Sequence, residues 1–416
     1  MSESLGREIG LLRTLATHLE KRPLPFERLT QESLRREGLG YVREKAGGII
    51  AIRMPGHYAF TELADCLLDR LPGMERGAIY AEIQTELFNF IEDYVGREPS
   101  TVGSKDAEAL VTQFEKWFAD KASPQRVFVP CVISRTPVPR FEIGLVTFEF
   151  IDRVTTSDFY PHAGGDAALH RRGFDDLVRW MREWDADWLA RVSVDGCEQE
   201  RAEEVAEVAV DLVIVALQLA APYLDTRTMV RLDARRGTSQ KRTLSEADSY
   251  HSAGWTRKEP GMTIGRGTLP DILQKAAPIF TAVGNVVRSF ASGSFRLPAL
   301  ERAWCDAAYW LHRALGESID SIAIAKLETA LEVLLGSESS SGSQQRMLDI
   351  LSGFFDLGPD DPIAPGSLLN ARQFARNIVR DRSRILHGTW STLNARGIDR
   401  SGHGGLRSHS PPGGGY

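Results

Sequence analysis

Four stretches of helical periodicity dominate the last third of the chain, and their connections are too short to hold structure of their own. They cover residues 299–315, 318–335, 343–355 and 367 to about 393, with Gly-, Ser- and Pro-rich links at 336–342 and 357–366. Helices joined in this way have to pack side by side, so a four-helix bundle is expected from about residue 277 to 393. Beyond it, residues 394–416 are Gly, Ser, Arg and His with no apolar anchor, and are read as a disordered tail.

The preceding two-thirds divides by texture. Residues 1–125 read as mostly helical. Leu5, Ile9, Leu12 and Leu19 recur at helical spacing, as do Ile79, Ile83, Leu87, Phe90, Ile91 and Tyr94. The apolar run 47–53 suits a strand equally well, and 104–119 reads as a helix with Leu110, Val111, Phe114, Trp117 and Phe118 inward. Residues 126–276 read as a mixed α/β region. Segments 127–133 and 141–151, rich in Val, Ile and Phe, suggest a hairpin-like pair of strands. Residues 174–188 suggest a helix with Trp180, Trp184 and Trp188 on one packed face, followed by a short strand at 192–194 and a turn at Asp195-Gly196. A long helix starts at Glu198, and Glu200, Glu203, Glu204 and Glu207 suit the positive end of its dipole. A strand at 228–232 and polar loops over 235–270 complete the region.

Composition removes several function classes. No stretch reaches the ~18 uninterrupted apolar residues of a membrane span, and the first ten residues lack a secretory apolar core, so a cytoplasmic protein without membrane contact is expected. Cys66, Cys131, Cys197 and Cys305 form no CxxC pair, and His57, His162, His170, His251 and His312 have no ligand spacing, so neither a metal nor another cofactor is expected. Gly265-Arg266-Gly267 lacks the lysine and spacing of a phosphate loop. A net charge of -6 gives no overall attraction to nucleic acid, so any phosphate binding has to come from a local patch.

Such a patch lies in 371–388. Arg372, Arg376, Arg380 and Arg384, four apart, form one ridge of a helix that approaches His387. The apolar stripe Phe374, Ala375, Ile378, Val379, Ile385 and Leu386 requires apolar residues at 381 and 382, where Asp381 and Arg382 stand instead. A charge on a buried row is costly unless paired, so these two either meet partners inside the bundle or face an interface or cleft. Glu332 shares a helical row with Glu328 and either orients an arginine of the fourth helix or makes a surface ion pair.

The segment Arg382-Ser383-Arg384-Ile385-Leu386-His387-Gly388 resembles the R-x4-6-H signature of HEPN domains, and of the ApeA-like group in particular. Residues 303–336 are similar to that group's early helices, so the resemblance covers about the last third of the chain. It implies a mainly α fold, with a C-terminal four-helix HEPN bundle preceded by a helical and α/β N-terminal region. It also implies a homodimer in which two such helices build one metal-independent ribonuclease site. Arg382 and His387 would be catalytic, with Ser383 at a position where active members carry Asn, Asp or His. Arg380 followed by Asp381 fits the longer spacing to the same histidine. The partner would be RNA, and the region ahead of the bundle would sense a trigger or bind a regulatory protein in antiphage defence or a toxin-like system.

The chemistry suits the residue types. Metal-free RNA cleavage needs a group that titrates near neutrality beside the 2′-hydroxyl and a fixed cation on the phosphate, and histidine and arginine supply these. Arg372, Arg376, Arg380 and Arg384 are read as RNA-binding, Asp381 and Glu332 as support. The alternative is a catalytically silent HEPN bundle serving as a dimerisation or RNA-docking scaffold.

Overall fold

A computed structural model describes residues 5–22, 38–45, 48–155, 167–232, 240–247, 250–257, 261, 267–317, 319–336 and 340–386. Among the described residues the chain is mainly helical, with a three-stranded sheet, a two-stranded hairpin and a five-stranded sheet. It divides into two compact units, Met1–Val127 with Ser193–Val205, and Phe128–Val192 with Ala206–Tyr416. Among the described residues, no helix is long and apolar enough to cross a membrane.

The first unit packs α1 (Gly6–His18), α2 (Met54–Arg70), α3 (Pro72–Gly77), α4 (Tyr80–Ile91) and α5 (Ser104–Lys121) around one core. Leu12, Leu15, Phe60, Leu63, Leu67, Ile83, Leu87, Phe88, Leu110 and Phe114 are wholly or almost wholly buried there. The run at 47–53 is a strand, β3 (Gly48–Arg53), flanked by β1 (Leu19–Arg22) and β2 (Leu39–Lys45) in an antiparallel sheet of order β1-β3-β2. Buried Glu8 is ion-paired with Arg70, as a charge in that position has to be.

The second unit is built on a five-stranded sheet of order β5-β6-β7-β4-β8: β4 (Gln125–Val132), β5 (Phe141–Ile143), β6 (Val146–Phe150), β7 (Trp188–Val194) and β8 (Val230–Arg231). Two expectations are corrected here. The segments 127–133 and 141–151 do not pair with each other. Instead 141–151 folds on itself, with Ile143 opposite Val146 and Gly144 at φ +69 in the two-residue turn, while β4 lies beyond β7. The helix expected over 174–188 is α6 (Ala167–Glu183), which ends where Asp185 takes φ +58. The chain then reverses, and Trp188 enters β7, fully buried, with its Nε1 donating to the Ser134 carbonyl at 2.8 Å. The three tryptophans therefore do not share a helix face.

The long helix is α7 (Gln199–Ala220), begun by Glu198, whose carboxylate accepts from the N–H groups of Glu200 and Arg201 at 3.1 and 2.8 Å. Every residue from 209 to 218 is buried, including Asp211 and Gln218. A helix buried all round has to satisfy its polar side chains internally. Gln218 Nε2 donates to the carbonyls of Thr226 and Met229 at 2.9 and 3.4 Å, which leaves Oε1 to accept from Nδ1 of buried His312 at 3.2 Å. Nε2 of His312 faces Asp211 Oδ1 at 3.6 Å, and Arg231 bridges Asp211 at 3.2 Å and Glu207 at 2.9 Å. His312, whose spacing in the sequence suits no metal site, belongs to this buried network.

Residues 235–270, expected as loops, contain a hairpin of β9 (Gln240–Ala247) and β10 (Tyr250–Arg257), paired from Tyr250–Ala247 to Arg257–Gln240. Their polar composition hides the strands, because hairpin pairing is made by backbone groups. The helices that follow are α8 (Thr268–Lys275), α9 (Ala277–Ser292), α10 (Pro298–Leu315), α11 (Asp320–Leu335), α12 (Ser340–Phe355) and α13 (Ala371–Leu386). Helix α11 packs against α10, α12 and α13, and α13 also packs against α12. The last helix starts at Ala371 rather than 367, because Asn370 and Gln373 cap each other: Gln373 N–H donates to Asn370 Oδ1 at 2.8 Å and Asn370 N–H to Gln373 Oε1 at 3.2 Å. Its continuation to 393 and the tail at 394–416 lie outside the described residues.

Two substitutions test this packing. Gly284 of α9 abuts the β5–β6 turn so closely that an added Cβ would sit 2.7 Å from Gly144 N, so Gly284→Ala should cost about 1–3 kcal/mol in urea unfolding. Gln218→Leu keeps volume but strips partners from two carbonyls and His312, and should cost about 2–4 kcal/mol, read as a lower urea midpoint at unchanged slope.

Candidate functional site

On α13 the row Ala371, Ala375, Ile378 and Val379 faces Leu331, Leu335, Met347, Leu348 and Leu351 of α11 and α12. One further step along this row reaches Arg382, at about 20° from Ala371 on the helical wheel. An arginine therefore points where the apolar seam would continue. Opposite it, α11 carries Glu328 and Glu332, four apart on one face.

The three side chains meet. Arg382 Nε lies 3.3 Å from Glu328 Oε2, and Nη1 lies 3.0 and 2.9 Å from the two oxygens of Glu332. The Ser343 hydroxyl on α12 donates to Glu332 Oε1 at 3.0 Å. Exposure falls inward, with the Arg382 side chain 26% exposed, Glu332 14% and Glu328 0%. Nη2 of Arg382 has no partner among the described residues. The cluster carries two acids on one cation at full ionisation. Burial, opposed by the Arg382 charge and reinforced by that of Glu332, pushes the Glu328 carboxyl up to about 7.

The other sequence-selected residues lie elsewhere on α13. Arg372, Arg376, Arg380, Ser383 and Arg384 are exposed, and the four arginines stand about 6 Å apart along roughly 18 Å of helix. Arg372 Nε is 3.6 Å from Asp360, and half-buried Asp381 pairs with Arg380 of its own helix at 3.0 Å. The charged interruption thus resolves two ways: Arg382 takes partners across the helix seam, whereas Asp381 takes a neighbour on α13. His387 lies outside the described residues. Glu328, which the sequence places on one helical row with Glu332 but which is not itself assigned a supporting role there, is the most buried acid of the cluster. Among the described residues, no three His, Cys, Asp or Glu side chains are grouped to hold a metal ion.

The raised Glu328 carboxyl has a definite thermodynamic sign. Its folded value of about 7 exceeds the ordinary 4.5 of a glutamate, so its contribution is fully present below about pH 4.5 and is lost as pH rises through 7. Between those limits the unfolded chain releases the proton first. The unfolding free energy should fall from pH 5 to pH 8 by on the order of 3 kcal/mol from this group, read by urea unfolding at each pH, and Glu328→Gln should flatten that fall. An identical slope in the variant would show that the cluster stays charged at both pH values.

Compared with protein-family models, with curated proteins and with solved structures, the chain matches none.

Proposed function

We propose that the protein is a metal-independent endoribonuclease of HEPN type, acting as a cytoplasmic homodimer through a composite site. In this reading His387 moves the proton of the 2′-hydroxyl, Arg382 carries positive charge to the phosphate, and the ends left are 2′,3′-cyclic phosphate and 5′-hydroxyl. Arg372, Arg376, Arg380 and Arg384 follow the RNA backbone, and the region ahead of the bundle gates cleavage in a defence or toxin role. The observation that carries the reading is the guanidinium held from behind. Glu332 accepts from Nη1 while Glu328 lies 3.3 Å from Nε as an ion pair, which holds Arg382 against α11 and leaves Nη2 without a partner among the described residues. A transition-state cation is effective when it is positioned before the charge develops.

A second reading rests on the same contact. Two carboxylates already match the single charge of Arg382, as they would in a staple that fixes helix register. The bundle would then serve as a dimerisation or RNA-docking scaffold.

His387→Ala separates them, because it removes the proton carrier and spares the Arg382 cluster. RNA ends sequenced after brief expression should show cleavage lost by at least about a hundredfold, with the thermal midpoint unchanged. Cleavage by the purified protein should persist in EDTA. Equal cleavage or toxicity at equal protein level would leave the scaffold reading. Arg382→Ala is the poorer probe, since it leaves two facing acids without their cation and should itself destabilise the fold.

A further inference from the structure

The two acids that meet Arg382 are not equivalent. Glu332 is well supplied with donors: its oxygens lie 3.0 and 2.9 Å from Arg382 Nη1, and Oε1 also accepts from the Ser343 hydroxyl at 3.0 Å. Glu328 has no such support. Its side chain is fully buried, neither oxygen makes a hydrogen bond among the described residues, and it meets Arg382 only as an ion pair with Nε at 3.3 Å. The charges that act on it are those of Arg382 on α13 and Glu332 on its own helix. Helices α10 and α12, which also pack on α11, add none among the described residues.

Two carboxylates on one guanidinium leave one negative charge in excess, and a helix seam offers no water to disperse it. A proton is the smallest cation that removes it. Hydrogen bonds to a carboxylate favour its charged form, so Glu332 stays ionised and the proton goes to Glu328. The Glu328 carboxyl accordingly lies at about 7, where both of its forms are populated near neutrality.

The two forms leave Arg382 in different circumstances. With Glu328 ionised, the trio carries a net negative charge and repels a further anion. With Glu328 protonated, the trio is neutral and the guanidinium answers to Glu332 alone. The arginine also reaches toward solvent, since its side chain is 26% exposed and Nη2 has no partner among the described residues. An anion at Nη2 favours the protonated form of Glu328, and by linkage the protonated form favours the anion.

We infer that Glu328 is a proton-operated latch on Arg382: ionised, it keeps the guanidinium's charge inside the helix seam, and protonated, it gives that charge to a phosphodiester at the exposed edge. The inference rests on the nuclease reading above and adds its regulation, with up to one proton taken from solvent for each phosphodiester bound at Arg382.

The test uses the full-length His387→Ala protein, which lacks both the proton carrier and the titration of that histidine. The probe is a single-stranded 2′-O-methyl oligonucleotide, whose phosphodiesters keep one charge each from pH 6 to 8.5. Binding should weaken by at least about fivefold across that range, with its midpoint near 7. Adding Glu328→Gln, a neutral carboxamide in place of the acid, should remove that fall and hold affinity at the level seen at pH 6. A second readout needs no nucleic acid. Phenylglyoxal modifies guanidinium groups, and an ionised Glu328 shields Arg382 from it. Modification of Arg382 relative to exposed Arg376, mapped by mass spectrometry, should fall by about fivefold from pH 6 to 8.5 and stay level in the glutamine variant.

An equal fall in binding with and without Glu328→Gln, or a modification ratio that is constant with pH, overturns the latch. Where the glutamine variant fails to fold, the ratio in the parent decides: a fall centred near 7 keeps the latch and a flat ratio removes it. An oligonucleotide that binds at no pH removes the nuclease reading, and a ratio that still falls retains the latch on Arg382 without it. RNA cleavage lost in His387→Ala beside flat binding and a flat ratio keeps the nuclease and removes the latch.

Discussion

The second unit depends on a ten-residue stretch of helix that has water on no side. The 209–218 stretch of α7 is buried throughout, yet carries Asp211 and Gln218. Leaving either unmet in an apolar interior would cost several kcal/mol, a large share of what holds a domain together. Partners therefore have to arrive from elsewhere, and they arrive as the carbonyls after the helix, Arg231 on β8 and His312 on α10. Apolar contacts alone tolerate sliding, whereas these contacts tie α7 to one strand and one later helix at particular residues. They set where α10 lies, and α11 packs on α10.

A similar constraint reappears farther along, with a different outcome. At Glu328 a carboxylate is buried against one cation shared with a second acid, so its ionisation is held back toward neutrality. Replacing the trio by apolar residues would be expected to stabilise the seam or leave it unchanged, because desolvating charges offsets most of what their pairing contributes. The arrangement is thus poorly explained by stability alone. It holds a guanidinium between two acids at a partly exposed place, and the proposed site rests on that arrangement.

The two kinds of arginine on α13 differ by less than half a turn of helix in azimuth and by much more in circumstance. The ridge is solvated, so its field reaches only as far as salt allows. Arg382 is fixed by carboxylates, so its effect is local and geometric.

Much of the helical framework was legible because apolar spacing reports which face of a segment will be covered. The periods at 104–119, 299–315 and 343–355 became helices with boundaries shifted by a few residues, and the breaks at Asn370 and Asp356 follow local capping chemistry. The misfit at 381 and 382 was also a sequence-level fact, since a charge on an apolar row is an anomaly whatever lies opposite. Other features depended on distance along the chain. Nothing within a few residues of Trp188 says that Asp185 will adopt a positive φ and send it into a strand, and nothing in 141–151 says that β4 will pair elsewhere. The partners of His312, Gln218 and Arg382 lie 94, 8 to 11, and 50 residues away, respectively. Local sequence determined which residues carried polar groups onto buried faces, because periodicity is a short-range property. Only the tertiary structure decided which groups would satisfy them, because burial removes water as the default partner and leaves that choice to whatever the rest of the chain brings within 3 to 4 Å.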